Sequence, residues 1–133
     1  MSLNAIQAAS VYATIANGGI RVMPRLIAGS TDAAGRFVAA PKSPGVRVVS
    51  AATASIMRQM LESVVDEGTG KAAAVPGYRV AGKTGTAEGA RDLWFIGSIP
   101  QLTTAVWLGY DENLKTHSSS AQAAATWGAY MSK

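Results

Sequence analysis

Apolar residues recur at helical spacing over residues 3–17, where Leu3, Ile6, Ala9, Ala13 and Ala16 share a face with Tyr12 and Ile15 alongside. This predicts a buried helix, stopped by Asn17-Gly18-Gly19 in left-handed conformation. Residues 20–29 and 36–40 carry β-branched or alternating apolar positions around turn formers at 30–35, the pattern of a loose hairpin. Pro41 and Pro44 are expected to break regular structure after it. Ser50 then offers an N-cap to a helix over residues 51–65. Its predicted apolar stripe is Ile56, Met57, Met60, Leu61, Val64 and Val65, with Arg58, Glu62 and Asp66 facing away.

Beyond Gly68, the run Gly68-Thr69-Gly70-Lys71 fails both phosphate-loop and dinucleotide patterns, because neither Val65 nor Ala73 is glycine and Ala72 is not Ser or Thr. A flexible connector is expected there. Three short strands follow over residues 78–86, 92–99 and 103–110, the last two apolar on both alternating sets and so covered on both faces. The turn at 97–102 is short enough for antiparallel neighbours. Ser118-Ser119-Ser120 precedes a closing helix over 121–131. Helix, hairpin, helix, three antiparallel strands and helix make an α+β fold, an antiparallel sheet with packed helices.

Composition narrows the function classes. With 133 residues, 48% hydrophobic and 15% charged, the chain has material for one core. Its +4 charge comes from scattered basic residues rather than a cluster, which argues against nucleic acid as a partner. It has no cysteine, hence no disulfide or thiolate metal site, and no apolar run of membrane-spanning length. The N-terminus lacks the pattern of a signal peptide, and Met1-Ser2-Leu3 reads as leader sequence.

One stretch, residues 77–88, concentrates a cation, hydroxyls and bare backbone in an otherwise apolar run. Gly77-Tyr78-Arg79-Val80-Ala81-Gly82-Lys83-Thr84 fits the P-loop pattern G-x-x-x-x-G-K-[ST], while Lys83-Thr84-Gly85 is the K-T-G triplet of penicillin-recognising acyl transferases. A P-loop needs glycine-rich backbone between a parallel strand and a helix N-terminus. Here Tyr78-Arg79-Val80-Ala81 is strand-like, and Gly85-Thr86-Ala87-Glu88-Gly89-Ala90 is no helix start. K-T-G instead needs a cleft-lining strand with a projecting lysine, an adjacent hydroxyl and a glycine that admits substrate backbone. Alternation alone points Lys83 and Gly85 one way and Thr84 and Thr86 the other.

Residues 4–19, Gly68-Thr69-Gly70, residues 80–86, Asp92-Leu93-Trp94-Phe95-Ile96-Gly97 and Val106-Trp107-Leu108-Gly109-Tyr110-Asp111 together resemble, in that order, the C-terminal part of the transpeptidase domain of penicillin-binding proteins. The second-last and last of these segments look most like the bifunctional class A enzymes. The resemblance covers nearly all of residues 1–133, expected as an incomplete domain lacking its N-terminal portion. It implies a partial β-lactamase-like fold and, in the full-length parent, a D,D-transpeptidase that cross-links peptidoglycan on the extracytoplasmic face of the bacterial cytoplasmic membrane. An active-site serine attacks the D-Ala-D-Ala stem peptide, releases D-alanine and passes the acyl group to an amine; β-lactams acylate the same serine.

On that resemblance Lys83 supplies positive charge, Thr84 and Thr86 hydroxyls hold a carboxylate, Gly85 permits close approach, and the Thr86 N–H joins an oxyanion hole. The partners implied are the stem peptide or a β-lactam, with no cofactor and no metal. The family's nucleophile motif S-x-x-K occurs nowhere in the chain, so no catalytic residue is assigned and the chain is expected to be inert alone. Ser2-Leu3-Asn4 fits the family's S-x-N in letters only. An exposed, unpaired core surface would favour a homo-oligomer of the fragment or strand exchange. The alternatives are a non-catalytic peptidoglycan-binding module and a nucleotide binder through residues 77–84.

Other chemistry reads as structural. His117 lies in a serine-rich loop, and Glu88, Asp92, Asp111 and Glu112 have no spacing that fixes a shared cleft. Trp94, Trp107 and Trp127 lie in apolar segments and are expected in the core. Arg91 is open to either a neighbouring acid or a substrate carboxylate.

Overall fold

Helix α1 runs Ala5–Ala16 and begins with a reciprocal cap: Asn4 Oδ1 accepts from Gln7 N at 2.8 Å, and Asn4 N donates to Gln7 Oε1 at 3.0 Å. The structure, a computed structural model, describes residues 3–133. Gly18 and Gly19, at φ 63° and 87°, end α1 as expected. A Cβ on Gly19 would meet the Val49 carbonyl oxygen at 2.3 Å, so only glycine fits there. The expected burial of this helix is corrected: Ala8 and Thr14 are buried while Ile6 and Val11 lie outside. Small residues let α1 approach the sheet, while Ile6 and Val11 point away and Tyr12 is half-buried.

The expected hairpin becomes two nested ladders. Strand β1 (Ile20–Arg21) pairs with β4 (Val46–Arg47), enclosing β2 (Gly29–Thr31) paired with β3 (Phe37–Ala39), all antiparallel. Pro41 and Pro44 interrupt regular structure as expected, residues 40–45 being irregular, and the chain then returns for Val46 to face Arg21. At the inner turn, Asp32 Oδ1 accepts from the Ala34 and Arg36 backbone N–H groups, each at 2.9 Å.

Helix α2, Ala51–Asp66, is capped by Ser50 Oγ, which accepts from Thr53 N at 3.0 Å. Its orientation corrects the expected stripe. Ala54, Glu62 and Val65 face inward, whereas Ile56 and Met60 are each 60% exposed. Glu62 can be buried because Arg58 and Arg79 each bring a guanidinium to 3.4 Å from its carboxylate. Partners, rather than hydropathy, decide this face.

After a 3₁₀ turn at Lys71–Ala73 come β5 (Ala81–Thr86), β6 (Asp92–Ile99) and β7 (Leu102–Gly109), an antiparallel sheet in that order, followed by α3 (Ser120–Met131). The boundaries of the three helices and of β5, β6 and β7 match the periodicity to within three residues, whereas the expected strand over 20–29 is regular only at Ile20–Arg21 and Gly29, and the α+β class holds. Strand β6 is covered on both faces; β7 is only half covered, with Trp107 38% exposed.

The core lies between the sheet and α3. Phe95 and Trp127, both fully buried, meet edge-on with ring centroids 5.2 Å apart, surrounded by Val65, Ala73, Val80, Ala123 and Ala124. Phe95 lies flat across two glycines: a Cβ on Gly82 or Gly97 would approach its ring to 2.5 or 2.8 Å. Among the described residues no helix is long and apolar enough to cross a membrane.

Trp127→Ala should therefore cost about 3–5 kcal/mol of stability, measured by urea denaturation. The inner turn yields a second expectation. The Arg36 backbone N–H, joined by its guanidinium and the Ala34 N–H, holds the Asp32 carboxyl below its ordinary 3.8 against a smaller opposing desolvation. A group lowered in the folded state contributes above its unfolded pKa and loses that contribution as pH falls through the folded value. Carboxyl-carbon NMR of Asp32 should titrate below 3.8, with the Ala34 and Arg36 amides moving at the same midpoint.

Candidate functional site at the open edge of the sheet

Among the described residues, strand β5 has a neighbour on one side only. Ala87 N donates to Asp92 O at 2.9 Å, which sets the parity of the β5–β6 ladder. Because hydrogen-bonded and non-bonded pairs alternate, Ala81, Lys83 and Gly85 turn their backbone groups toward β6, while Gly82, Thr84 and Thr86 present theirs to the open edge. Side chains divide the other way: Lys83 shares a face with Ile96, and Thr84 shares the opposite face with Phe95.

Lys83 nevertheless reaches Thr84. Its Nζ donates to the Thr84 carbonyl oxygen at 3.0 Å and to Thr84 Oγ1 at 3.2 Å. The lysine thus wraps from its own face across the open edge, which carries the ammonium to a place that alternation alone denies it. Thr84 is 9% exposed and shares a 2.7 Å hydrogen bond with Thr69 Oγ1. Thr86 is exposed at the end of the strand.

Beside this edge an open recess of about 530 Å³ lies between α1 and the β5–β6 face, with Tyr12 and Ala8 on one wall, Gly85, Trp94 and Ile96 on the other, and Lys83 and Thr84 at the rim. Burial raises the Tyr12 hydroxyl pKa, so the phenol stays neutral. Gly85 faces Trp94 closely, and a Cβ there would meet the Trp94 Cβ at 3.2 Å. The structure therefore brings Lys83, Thr84 and Gly85 together at the recess and leaves Thr86 beyond it.

Residues 77–84 do not form a phosphate loop. Gly77, at φ 82°, belongs to a turn closed by Tyr78 N to Val75 O, and Lys83 and Thr84 sit inside an antiparallel strand that runs on to Thr86 instead of opening a helix. The nucleotide-binding alternative loses its geometry. Of the S-x-N letters, Ser2 lies outside the described residues and Asn4 is occupied as the α1 cap.

Thr69 was absent from the expected site. The expected flexible connector is instead a packed turn, in which the Gly68 and Gly70 amides both donate to the Val64 carbonyl, at 3.1 and 2.9 Å. Gly70 is buried against Phe95. The usable signal was the Gly-Thr-Gly triplet, in which two glycines frame one hydroxyl. Of the remaining candidates, Trp127 alone is a full core residue; Trp94 and Trp107 pair at 6.3 Å, and Asp92 accepts from Trp107 Nε1 at 2.9 Å. His117 and Arg91 are exposed.

A K-T-G strand at the open edge of an antiparallel sheet, with helices on both faces, defines a penicillin-recognising class of domain. A family model described as "Penicillin binding protein transpeptidase domain" matches residues 1–132, and the chain belongs to that family. It is 44% identical over 95 residues to penicillin-binding protein PbpB of Mycobacterium tuberculosis, covering 66% of this chain and 14% of that protein. It is 35% identical over 129 residues to penicillin-binding protein 1A of Clostridium acetobutylicum, covering 96% and 16%. The chain thus spans about a sixth or less of those relatives' length. Among solved structures, the D,D-transpeptidase domain of a peptidoglycan glycosyltransferase from Eggerthella lenta matches with TM-score 0.78 and 31% identity, covering 96% of this chain and 31% of that one. Penicillin-binding protein A from M. tuberculosis, solved as an imipenem acyl-enzyme complex, matches with TM-score 0.77 and 27% identity, covering 97% and 30%.

Proposed function

We propose that residues 1–133 are the C-terminal portion of a D,D-transpeptidase domain and form one wall of its cleft, recognising the terminal carboxylate of a peptidoglycan stem peptide or of a β-lactam. The observation that carries this reading is the Lys83 ammonium, fixed on the open edge of β5 by two acceptors of Thr84. There it stands beside the outward backbone N–H groups of Thr84 and Thr86. An anion approaching that edge meets a positive charge and amide donors together. In the complete reaction, a serine supplied from outside this wall attacks the D-Ala-D-Ala carbonyl, D-alanine departs, and an amine takes the acyl group from the serine. The carbonyl oxygen becomes an oxyanion on the way, and the Thr86 N–H is placed to receive it, a role worth about 3 kcal/mol of barrier. Gly85 leaves the strand bare for substrate backbone, and the exposed Thr86 hydroxyl supplies a further donor to the carboxylate. On this reading the parent protein acts at the extracytoplasmic face of the bacterial cytoplasmic membrane.

Titrating the ¹⁵N-labelled chain with N-acetyl-D-alanyl-D-alanine should shift the Thr84, Gly85 and Thr86 amides, and Lys83→Ala should abolish the shift. Shifts confined to residues 77–80 with ATP would instead restore the nucleotide reading. Because no S-x-x-K is present, benzylpenicillin should leave the intact mass unchanged. A stable acyl adduct would refute the wall-only role.

A second copy of the chain is the partner we infer for β7. Residues 102–109 contain no charge and no proline, and by ladder parity Thr103, Ala105, Trp107 and Gly109 turn unpaired backbone groups outward. Sedimentation equilibrium should find a dimer, and Ala105→Pro, which removes an outward N–H and no β6 bond, should yield a monomer. A wild-type monomer at millimolar concentration would exclude the pairing.

A further inference from the structure

The hydrogen bonds around Thr84 fix more than its position. An ammonium has donors only, so Thr84 Oγ1 must accept from Lys83 Nζ at 3.2 Å. Its single proton is then free for the Thr69 hydroxyl, 2.7 Å away, and that direction lines up the donors from Lys83 through Thr84 to Thr69. The opposite direction would make Thr84 Oγ1 accept twice and leave its proton without an acceptor on a threonine that is 9% exposed.

Thr69 is held for this task by its neighbours. A Cβ on Gly68 would meet the Val64 carbonyl oxygen at 2.9 Å, and one on Gly70 would meet that oxygen at 3.1 Å and Phe95 at 3.3 Å. The bare backbone on both sides lets the turn press down on α2 and the core, which brings the Thr69 hydroxyl against β5.

Resting on the carboxylate-recognition reading, we propose that Thr69 is a positioning residue for the Lys83–Thr84 wall. It takes the Thr84 hydroxyl proton, locks the Thr84 side chain in one rotamer, and so keeps Thr84 Oγ1 turned to accept from Lys83. Without it, Thr84 rotates to satisfy its own proton, and Lys83 loses one of the two acceptors that bend it over the open edge. The ammonium then returns to its own face of the strand, away from the outward N–H groups. Thr69 thereby acts on the anion through Thr84 and Lys83 and touches no reacting atom.

The test compares Thr69→Val, which keeps the shape without the hydroxyl, with Thr69→Ser, which keeps the hydroxyl. Three-bond couplings to the Thr84 Cγ2 report its χ1 in the ligand-free chain. They should show a single rotamer in the wild type and in Thr69→Ser, and averaging in Thr69→Val. N-acetyl-D-alanyl-D-alanine should bind Thr69→Val roughly fivefold more weakly, with Thr69→Ser restoring affinity. Unchanged couplings in a folded Thr69→Val overturn the inference, whatever the ligand does. Couplings that change as expected, with no ligand shift in any variant, uphold the positioning and instead refute carboxylate recognition.

Discussion

The register of β5 on β6 is the constraint on which the site depends, and Phe95 sets it. Its ring fills the space that side chains on Gly82 and Gly97 would occupy, and Trp127 closes over it from α3. A slip of one residue would drive Lys83 into that core and turn Thr84 out. Burying an ammonium without a partner costs several kcal/mol, so the apolar packing on one face dictates the chemistry presented at the strand edge. The two glycines are thus as much part of the site as the lysine.

A second tie runs through α2. Glu62 is buried only because Arg58, on its own helix, and Arg79, just before β5, both reach its carboxylate. Those contacts join α2 to the segment that leads into the strand. Two residues further along, Val64 receives the two glycine amides that shape the turn carrying Thr69. The same helix therefore anchors β5 at its entrance and supplies the platform for a hydroxyl at its middle. Both ties are polar, which is why a hydropathy stripe put Glu62 on the outer face and Ile56 and Met60 on the inner one while placing Val65 correctly.

Element order and strand boundaries were legible in the sequence because each rests on a local pattern: β-branched runs, the Asn17-Gly18-Gly19 stop, Ser50 as a cap. The K-T-G strand was legible as well, since what followed Thr84 could not begin a helix. Four things were not. The face of α2 depends on Arg79, which is 17 residues from Glu62. The pairing of Val46 with Arg21 crosses Pro24, Pro41 and Pro44, of which the last two read locally as breakers. The reach of Lys83 to Thr84 contradicts alternation, and it becomes visible only once β5 is known to be an edge strand whose open side a long side chain can cross. Thr69 joins this group: its partner is 15 residues away, and its flanking glycines suggest looseness until their packing is known.

The two edges of the sheet show what that lysine does for the fold itself. An unpaired strand invites another strand, and a cation is a common deterrent. On β5 the Lys83 ammonium already occupies the Thr84 carbonyl, an acceptor that an incoming strand would require. A small anionic ligand needs the ammonium and the amide donors but not that carbonyl. The edge is consequently guarded against full pairing with another strand. On β7 nothing comparable stands between residues 102 and 109, and Trp107 leans inward to Asp92 rather than across its edge. One sheet thus carries a guarded edge and an unguarded one, and a single lysine makes the difference.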